Sequence, residues 1–348
     1  MEIGVVGCGY WGSKHLRVLQ SIPSVTRVVA IDASDERLRA VADAFPTVTL
    51  VRQLDDVVER LDGLVIATPP LSHVALATRA IMAGCPLLVE KPLATAASDA
   101  RRLVDLADAR DVPLMVGHTF EHNAAVWMLR ELVQNDVLGP VYYADAARLN
   151  LGLYQSDVNV VWDLAPHDVS IFNFVLGASP SWVEAWGSRH AHPLLEDVAY
   201  LRLYYPAADI TANIHVSWLD PCKVRRVTLV GSRQMAVYND LATEPLRIFD
   251  KGVEIPVKDE DLSGVPMSYR YGDIRSPYFA TEEPLAVQDR RFVDAAMRRA
   301  TGETNARNGV AVVEVLEAAE RALRQQRRVE IDEVRSDDVL ALSLGGAG

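Results

Sequence analysis

Thiols are scarce in this chain, and so is positive charge. Three cysteines, Cys8, Cys85 and Cys222, are scattered through 348 residues. Their odd number and wide spacing exclude a disulfide framework and leave no thiol cluster for a metal. His190 and His192 stand before Pro193 with no carboxylate at ligand spacing, so they read as a loop and no metal is expected. Lysine and arginine total 35 against 47 acidic residues, a net charge of −12. That balance argues against nucleic acid or an anionic membrane as the main partner, although a local basic pocket can still receive an anionic substrate. Long apolar runs are also missing, and none is long enough to span a bilayer. Met1-Glu2-Ile3 enters the first strand directly, with no basic and apolar leader ahead of it. A cytoplasmic protein is expected. No internal repeat or low-complexity linker interrupts the chain.

What is present describes a globular protein, with 49% hydrophobic and 24% charged residues. The length predicts two domains, because single cores seldom grow beyond about 250–300 residues. We expect a first domain over 1–120, a second over 121–335, and a loose tail over 336–348.

Ile3-Gly4-Val5-Val6 reads as a buried strand and runs straight into Gly7-Cys8-Gly9-Tyr10-Trp11-Gly12, followed by a helical stretch with Leu16 and Leu19 on one face. Strand, glycine loop and helix in this order form the context of a dinucleotide fingerprint. Gly7 permits the tight turn, Gly9 lets the backbone approach a pyrophosphate, and Gly12 allows close packing of helix on strand. Tyr10 and Trp11 belong to the same loop. A second strand, Val28-Val29-Ala30-Ile31, ends at Asp32, twenty residues after Gly12. A carboxylate there accepts hydrogen bonds from ribose hydroxyls and repels a 2′-phosphate, so NAD is expected ahead of NADP. No arginine directly follows Asp32, and Arg37 is the nearest. The alternation continues through Gly63–Pro70, a helix from about His73, the Pro86–Val89 strand, a helix near 98–110 and the Pro113–Gly117 strand. Such units predict a doubly wound parallel sheet. Ala67-Thr68-Pro69-Pro70 and Glu90-Lys91-Pro92 fall at the carboxyl ends of strands, where such sheets hold ligands. Thr68, Pro69, His73, Glu90 and Lys91 are therefore candidate cofactor-side residues, His73 having a packing role as its alternative.

Beyond His118 the pattern changes to strands rich in β-branched and aromatic residues, with Pro206-Ala207-Ala208-Asp209 as a tight turn between two of them. This predicts a largely antiparallel sheet, one face covered by helices and the other serving as an oligomer interface. Within Trp162-Asp163-Leu164-Ala165-Pro166-His167-Asp168, Asp163 and His167 are four apart and share a helix face, with Pro166 suited to a first turn. A histidine held by a carboxylate is an acid–base arrangement; a capped helix with a hydrogen-bonded histidine is the alternative.

Together these segments resemble the glucose–fructose oxidoreductase, inositol dehydrogenase and rhizopine-catabolism (Gfo/Idh/MocA) family over nearly the whole chain, from Gly7 to about Ile331. The resemblance rests on Gly7–Gly12, Ala67–Pro70, Glu90–Leu93, the Asp163–His167 spacing and the late stretch Val312–Ala319. It implies a Rossmann domain joined to an antiparallel sheet domain, assembly as a homodimer or homotetramer, and hydride transfer between a nicotinamide and a secondary alcohol carbon of a sugar or polyol. It also implies that Lys91, Asp163 and His167 are the catalytic set, with His167 as base, Asp163 orienting it, and Lys91 on the substrate oxygen. Asn159–Asp168 and Ser217–Pro221 look like members that act at the 3-position of nucleotide-linked sugars, with Lys223, Arg225 and Arg226 either meeting an anionic group or forming a solvated strand edge. Free inositol or a monosaccharide is the alternative substrate, and an idle NAD-binding sensor is the alternative from another class. One departure is His122, where many members carry arginine or tyrosine.

Overall fold

The computed structural model describes residues 1–152, 154, 158–254, 267–280, 282–301 and 305–336. The chain divides into two compact units. The first unit contains β1 (Glu2–Val6), α1 (Tyr10–Ser21), β2 (Arg27–Ile31), α2 (Asp35–Ala44), β3 (Thr49–Val51), β4 (Gly63–Ile66), α3 (His73–Met82), β5 (Leu87–Val89), α4 (Ala97–Ala109) and β6 (Leu114–Val116). Its six strands are all parallel, in the order β3-β2-β1-β4-β5-β6. Strands buried on both faces read as continuous apolar runs, which is why Leu64, Val65 and Ile66, like Leu87, Leu88 and Val89, are all buried.

This unit also takes a later part of the chain, which corrects the expected 121–335 boundary: Glu282–Glu317 clusters with Met1–Asn123. The reason is apolar. Helix α7 (Pro284–Arg298) buries Leu285, Phe292 and Val293 in the same core as Ile3, Val5 and Leu16. Fully burying a side chain such as Phe292 contributes about 1.5–3 kcal/mol, enough to recruit a helix distant in sequence.

The second unit holds α5 (Ala124–Gln134), β7 (Val141–Leu151), α6 (Val160–Leu176), β8 (Trp182–Ser188), β9 (Val198–Tyr205), β10 (Ile210–Ser217), β11 (Leu219–Gly231), β12 (Met235–Asn239), β13 (Leu246–Glu254) and β14 (Ser268–Arg275). Helix α8 (Ala306–Gln325) is shared, its residues from Ala318 grouping here together with β15 (Val329–Glu330). The nine strands run β14-β13-β12-β11-β7-β10-β9-β8-β15, and every neighbouring pair is antiparallel except β7 with β10. Alternation separates the two faces: Ala144, Ala146 and Arg148 are buried on the side of α6, while Trp186, Tyr200 and His215 form a register-matched row on the other. The residues from 337 onward, most of the expected tail, lie outside the described residues.

Candidate active site

The glycine loop of the first unit is shaped by two hard constraints and one opening. Gly7 has φ +91°, and a Cβ there would meet the Ala67 carbonyl oxygen at 2.7 Å. A Cβ on Gly12 would lie 1.8 Å from the Gly7 oxygen. Gly9 differs: it precedes α1 with φ −78°, and nothing lies within 4 Å of the Cβ position. The fold therefore demands Gly7 and Gly12, whereas Gly9 leaves the start of α1 open, as close approach of a pyrophosphate requires. Tyr10 and Trp11 lie exposed in the first turn, with Lys14 Nζ over the Tyr10 ring at 4.7 Å.

Asp32 follows β2 and is nearly buried. Its Oδ2 accepts the Cys8 backbone N–H at 2.8 Å and its Oδ1 accepts that of Ser34 at 2.9 Å, so the carboxylate ties the glycine loop to the start of α2. Arg37 Nη1 stands 3.6 Å from Oδ2. Beside them a cavity of about 410 Å³ is lined by Asp32, Arg37, Arg52, Thr68, Pro69 and Arg79 among others. Each arginine faces its own carboxylate: Arg37 Asp32, Arg52 Asp35, and Arg79 Asp55. These residues fit an adenosine ribose, with loop and cavity joined at Gly7.

His73 does not line that cavity. It is fully buried, with Nδ1 2.9 Å from the Pro92 oxygen and Nε2 2.9 Å from the Thr68 oxygen. Burial holds it below the ordinary histidine pKa. The ring braces the end of β4 against the turn after Lys91.

At the end of β5, Glu90 points inward and Lys91 is half-buried. Glu90 Oε1 lies 3.1 Å from His15 Nε2, and its Oε2 accepts the Lys91 N–H at 3.2 Å. His15 Nδ1 lies 2.9 Å from both oxygens of Asp289 on α7. A neutral imidazole has one N–H and cannot donate on both sides. Burial alone would lower its pKa, but the charges and hydrogen bonds of Asp289 and Glu90 push it up to about 10. His15 is thus a buried imidazolium clamped between two carboxylates. Sequence reading missed it: a histidine beside Leu16 on the apolar face of α1 was the available signal, but its partners are 75 and 274 residues away.

In the second unit, Asn159 caps α6, its Oδ1 accepting the Val161 and Trp162 N–H groups at 3.1 and 3.3 Å. The cap starts the helix earlier than expected, so Pro166 is inside it rather than in its first turn. Asp163 and His167 share a helix face, both half-buried. Trp218 Nε1 donates to Asp163 Oδ2 at 3.0 Å, an anchor the sequence did not reveal. Next to His167, a cavity of about 50 Å³ is lined by Arg148, Asn150, Leu164, Lys223 and Arg225 among others. Arg148 donates to both Asp168 oxygens at 2.9 Å, and Arg225 pairs with Asp240 at 3.1 Å. Lys223 has no carboxylate partner among the described residues, so it carries the net positive charge of this cavity. Arg226 does not reach it; register puts that side chain opposite Ala147, on the other face.

Comparison with known proteins completes this picture. Residues 1–118 match the oxidoreductase family model with an NAD-binding Rossmann fold, and residues 126–237 match the GFO/IDH/MocA C-terminal domain. The chain belongs to the GFO/IDH/MocA family. It is therefore an NAD(P)-dependent dehydrogenase of the sugar and polyol class. It is 25% identical to D-apiose dehydrogenase of Paraburkholderia graminis over 96% of this chain and 90% of that one. It is 32% identical to UDP-N-acetylglucosamine 3-dehydrogenase of Acidithiobacillus ferrooxidans over 54% of this chain and 58% of that one. Among solved structures, GenD2 from gentamicin A biosynthesis aligns with a TM-score of 0.78 at 24% identity, covering 95% of this chain and 96% of that one, which establishes the common fold. No helix among the described residues is long and apolar enough to cross a membrane.

Proposed function

We propose that this GFO/IDH/MocA protein oxidises a secondary alcohol, or reduces the corresponding ketone, at the 3-position of a nucleotide-linked sugar, with NAD preferred over NADP. The observation that carries this reading is Lys91 at the ligand edge of the parallel sheet, together with the Asp163–His167 pair that the family resemblance assigns to the same reaction. Bound nicotinamide supplies the hydride acceptor. His167 takes the hydroxyl proton, and Asp163, held by Trp218, orients the ring and stabilises the imidazolium. Lys91 stabilises the negative charge that develops on the substrate oxygen. The carbon loses a hydride, the oxygen loses a proton, and a ketone results. Asp32 supports NAD because a 2′-phosphate beside this buried carboxylate is repelled. Lys223, which lines the His167 cavity and has no carboxylate partner among the described residues, supports a substrate carrying an anionic group such as a diphosphate or carboxylate.

The test is a panel of UDP-sugars, dTDP-sugars, free sugars and inositols with NAD and NADP, followed by cofactor absorbance and product mass. The expected result is turnover of a nucleotide sugar, faster with NAD, and at least about 100-fold slower in Lys91→Ala and His167→Asn. Turnover by Lys91→Ala at the wild-type rate would falsify the catalytic assignment, and a free inositol as the best substrate would favour the alternative. We also assign the open face of the second unit's sheet to a homodimer contact. It presents Trp186, Tyr200 and His215 in one row, and the Tyr200 and His215 rings stack at 4.0 Å. Light scattering should give a dimer or tetramer mass that falls to the monomer in Tyr200→Glu; a wild-type monomer would end this assignment.

A further inference from the structure

His118 is a buried polar side chain whose ring has no hydrogen-bond partner among the described residues. Strands β5 and β6 are in register with Val89 opposite Val116, so Lys91 and His118 each stand two residues past a matched pair, on adjacent carboxyl ends of the sheet. The His118 backbone is held from both sides. Its N–H donates to the Val116 oxygen at 2.7 Å, and its carbonyl accepts the Glu121 N–H at 2.9 Å. Gly117 is required just before it, because a Cβ there would come within 2.9 Å of Glu90 Oε1. Yet the His118 ring, 1% exposed, has no hydrogen-bond partner at either nitrogen among the described residues. His122, four residues on and 8% exposed, is in the same condition.

An orphaned buried imidazole costs about 1–3 kcal/mol, and an apolar side chain of similar shape would avoid that cost. Burial, followed by the charges of Lys91 and His122, lowers the His118 pKa to about 3, so the ring is neutral in the physiological range. A neutral imidazole can accept from one hydroxyl and donate to another, and it offers no charge to an anion. Those properties match the uncharged polyhydroxyl part of a sugar, leaving the anionic part to other residues.

We propose that His118 binds the substrate, hydrogen-bonding a ring hydroxyl adjacent to the carbon that reacts at Lys91. The proposal rests on the dehydrogenase reading of Lys91. It requires that the partner missing in the free protein arrive with the substrate rather than with the cofactor or a structural water.

The experiment compares His118→Leu and His118→Gln with the wild-type protein in three measurements. These are thermal melting of the cofactor-free protein, NAD binding by fluorescence titration, and steady-state kinetics on the best substrate of the panel above. The expected result for His118→Leu is a melting temperature equal to or above wild type, an NAD affinity within about twofold, and kcat/KM lower by about 10-fold, mainly through KM. His118→Gln, which can still donate and accept, should recover most of that loss. A lower melting temperature in His118→Leu would mean a structural role or a bound water and would overturn the proposal. Weakened NAD binding matching the kinetic loss would move the contact to the cofactor, also overturning it. Unchanged kcat/KM in His118→Leu beside an inactive Lys91→Ala removes His118 alone; an active Lys91→Ala removes the reading beneath it.

Discussion

Two buried histidines neighbour the Glu90–Lys91 strand end, in opposite states. His15 has carboxylates at both nitrogens and is held as a cation, whereas His118 has no partner at either nitrogen among the described residues and is held neutral. Burial opposes charge equally at both, since each is almost wholly removed from water. What differs is what else is buried with them. Two carboxylates outweigh the desolvation of His15, whereas at His118 burial and the charge of Lys91 both act against protonation. A buried histidine is therefore not one kind of residue. The first is a structural clamp, and the second is the residue proposed above to meet the substrate.

The contrast breaks most readily at His15. In His15→Gln, Glu90 and Asp289 lose the cation between them, and destabilisation of about 3–5 kcal/mol is expected in urea melts. The same clamp predicts an alkaline limb. The folded pKa, about 10, is above the unfolded value near 6.5. The contribution is therefore complete below about pH 6.5 and is lost as pH rises through about 10, and His15→Gln should lack this decline. A flat wild-type profile from pH 7 to 10 would contradict the imidazolium.

Gly117→Ala comes next in size. Its Cβ would press on the Glu90 carboxylate, and a loss of about 1–3 kcal/mol is expected with a fall in activity, because Glu90 holds the Lys91 backbone. Wild-type stability and turnover in that variant would show that the Glu90 position is not constrained. At His118 the sign is reversed. Its folded pKa is depressed, so the unfolded chain takes up a proton first and stability falls as pH drops from about 6.5 toward 3. His118→Leu should lessen that acid decline; an undiminished decline would locate the acid sensitivity elsewhere, with His122 the first alternative.

Much of the fold was legible because it is written in local patterns. Ile3–Val6 followed by three glycines, and Val28–Ile31 followed by Asp32, declare a strand–loop–helix unit without reference to distant residues. Alternation in Val198–Tyr205 and Ile210–Val216, joined by a four-residue turn, declares an antiparallel pair. The allegiance of α7 was not legible. Phe292 and Val293 mark an amphipathic helix, but amphipathicity does not say which sheet the helix will cover. Lys91, Asp163 and His167 could be named from motif and spacing, whereas their surroundings could not. The Trp218 anchor on Asp163 and the placement of Lys223 beside His167 both depend on contacts between separate segments.

By itself the sequence determined the parallel sheet with its glycine loop, the antiparallel sheet after it, and the family to which the chain belongs. These follow from hydrophobic period and from residues fixed in number and order along the chain. Only the tertiary structure decided that His15 is charged and His118 neutral. The protonation state of a buried group depends on which charges are buried beside it, and at His15 one of those charges comes from a helix 274 residues away.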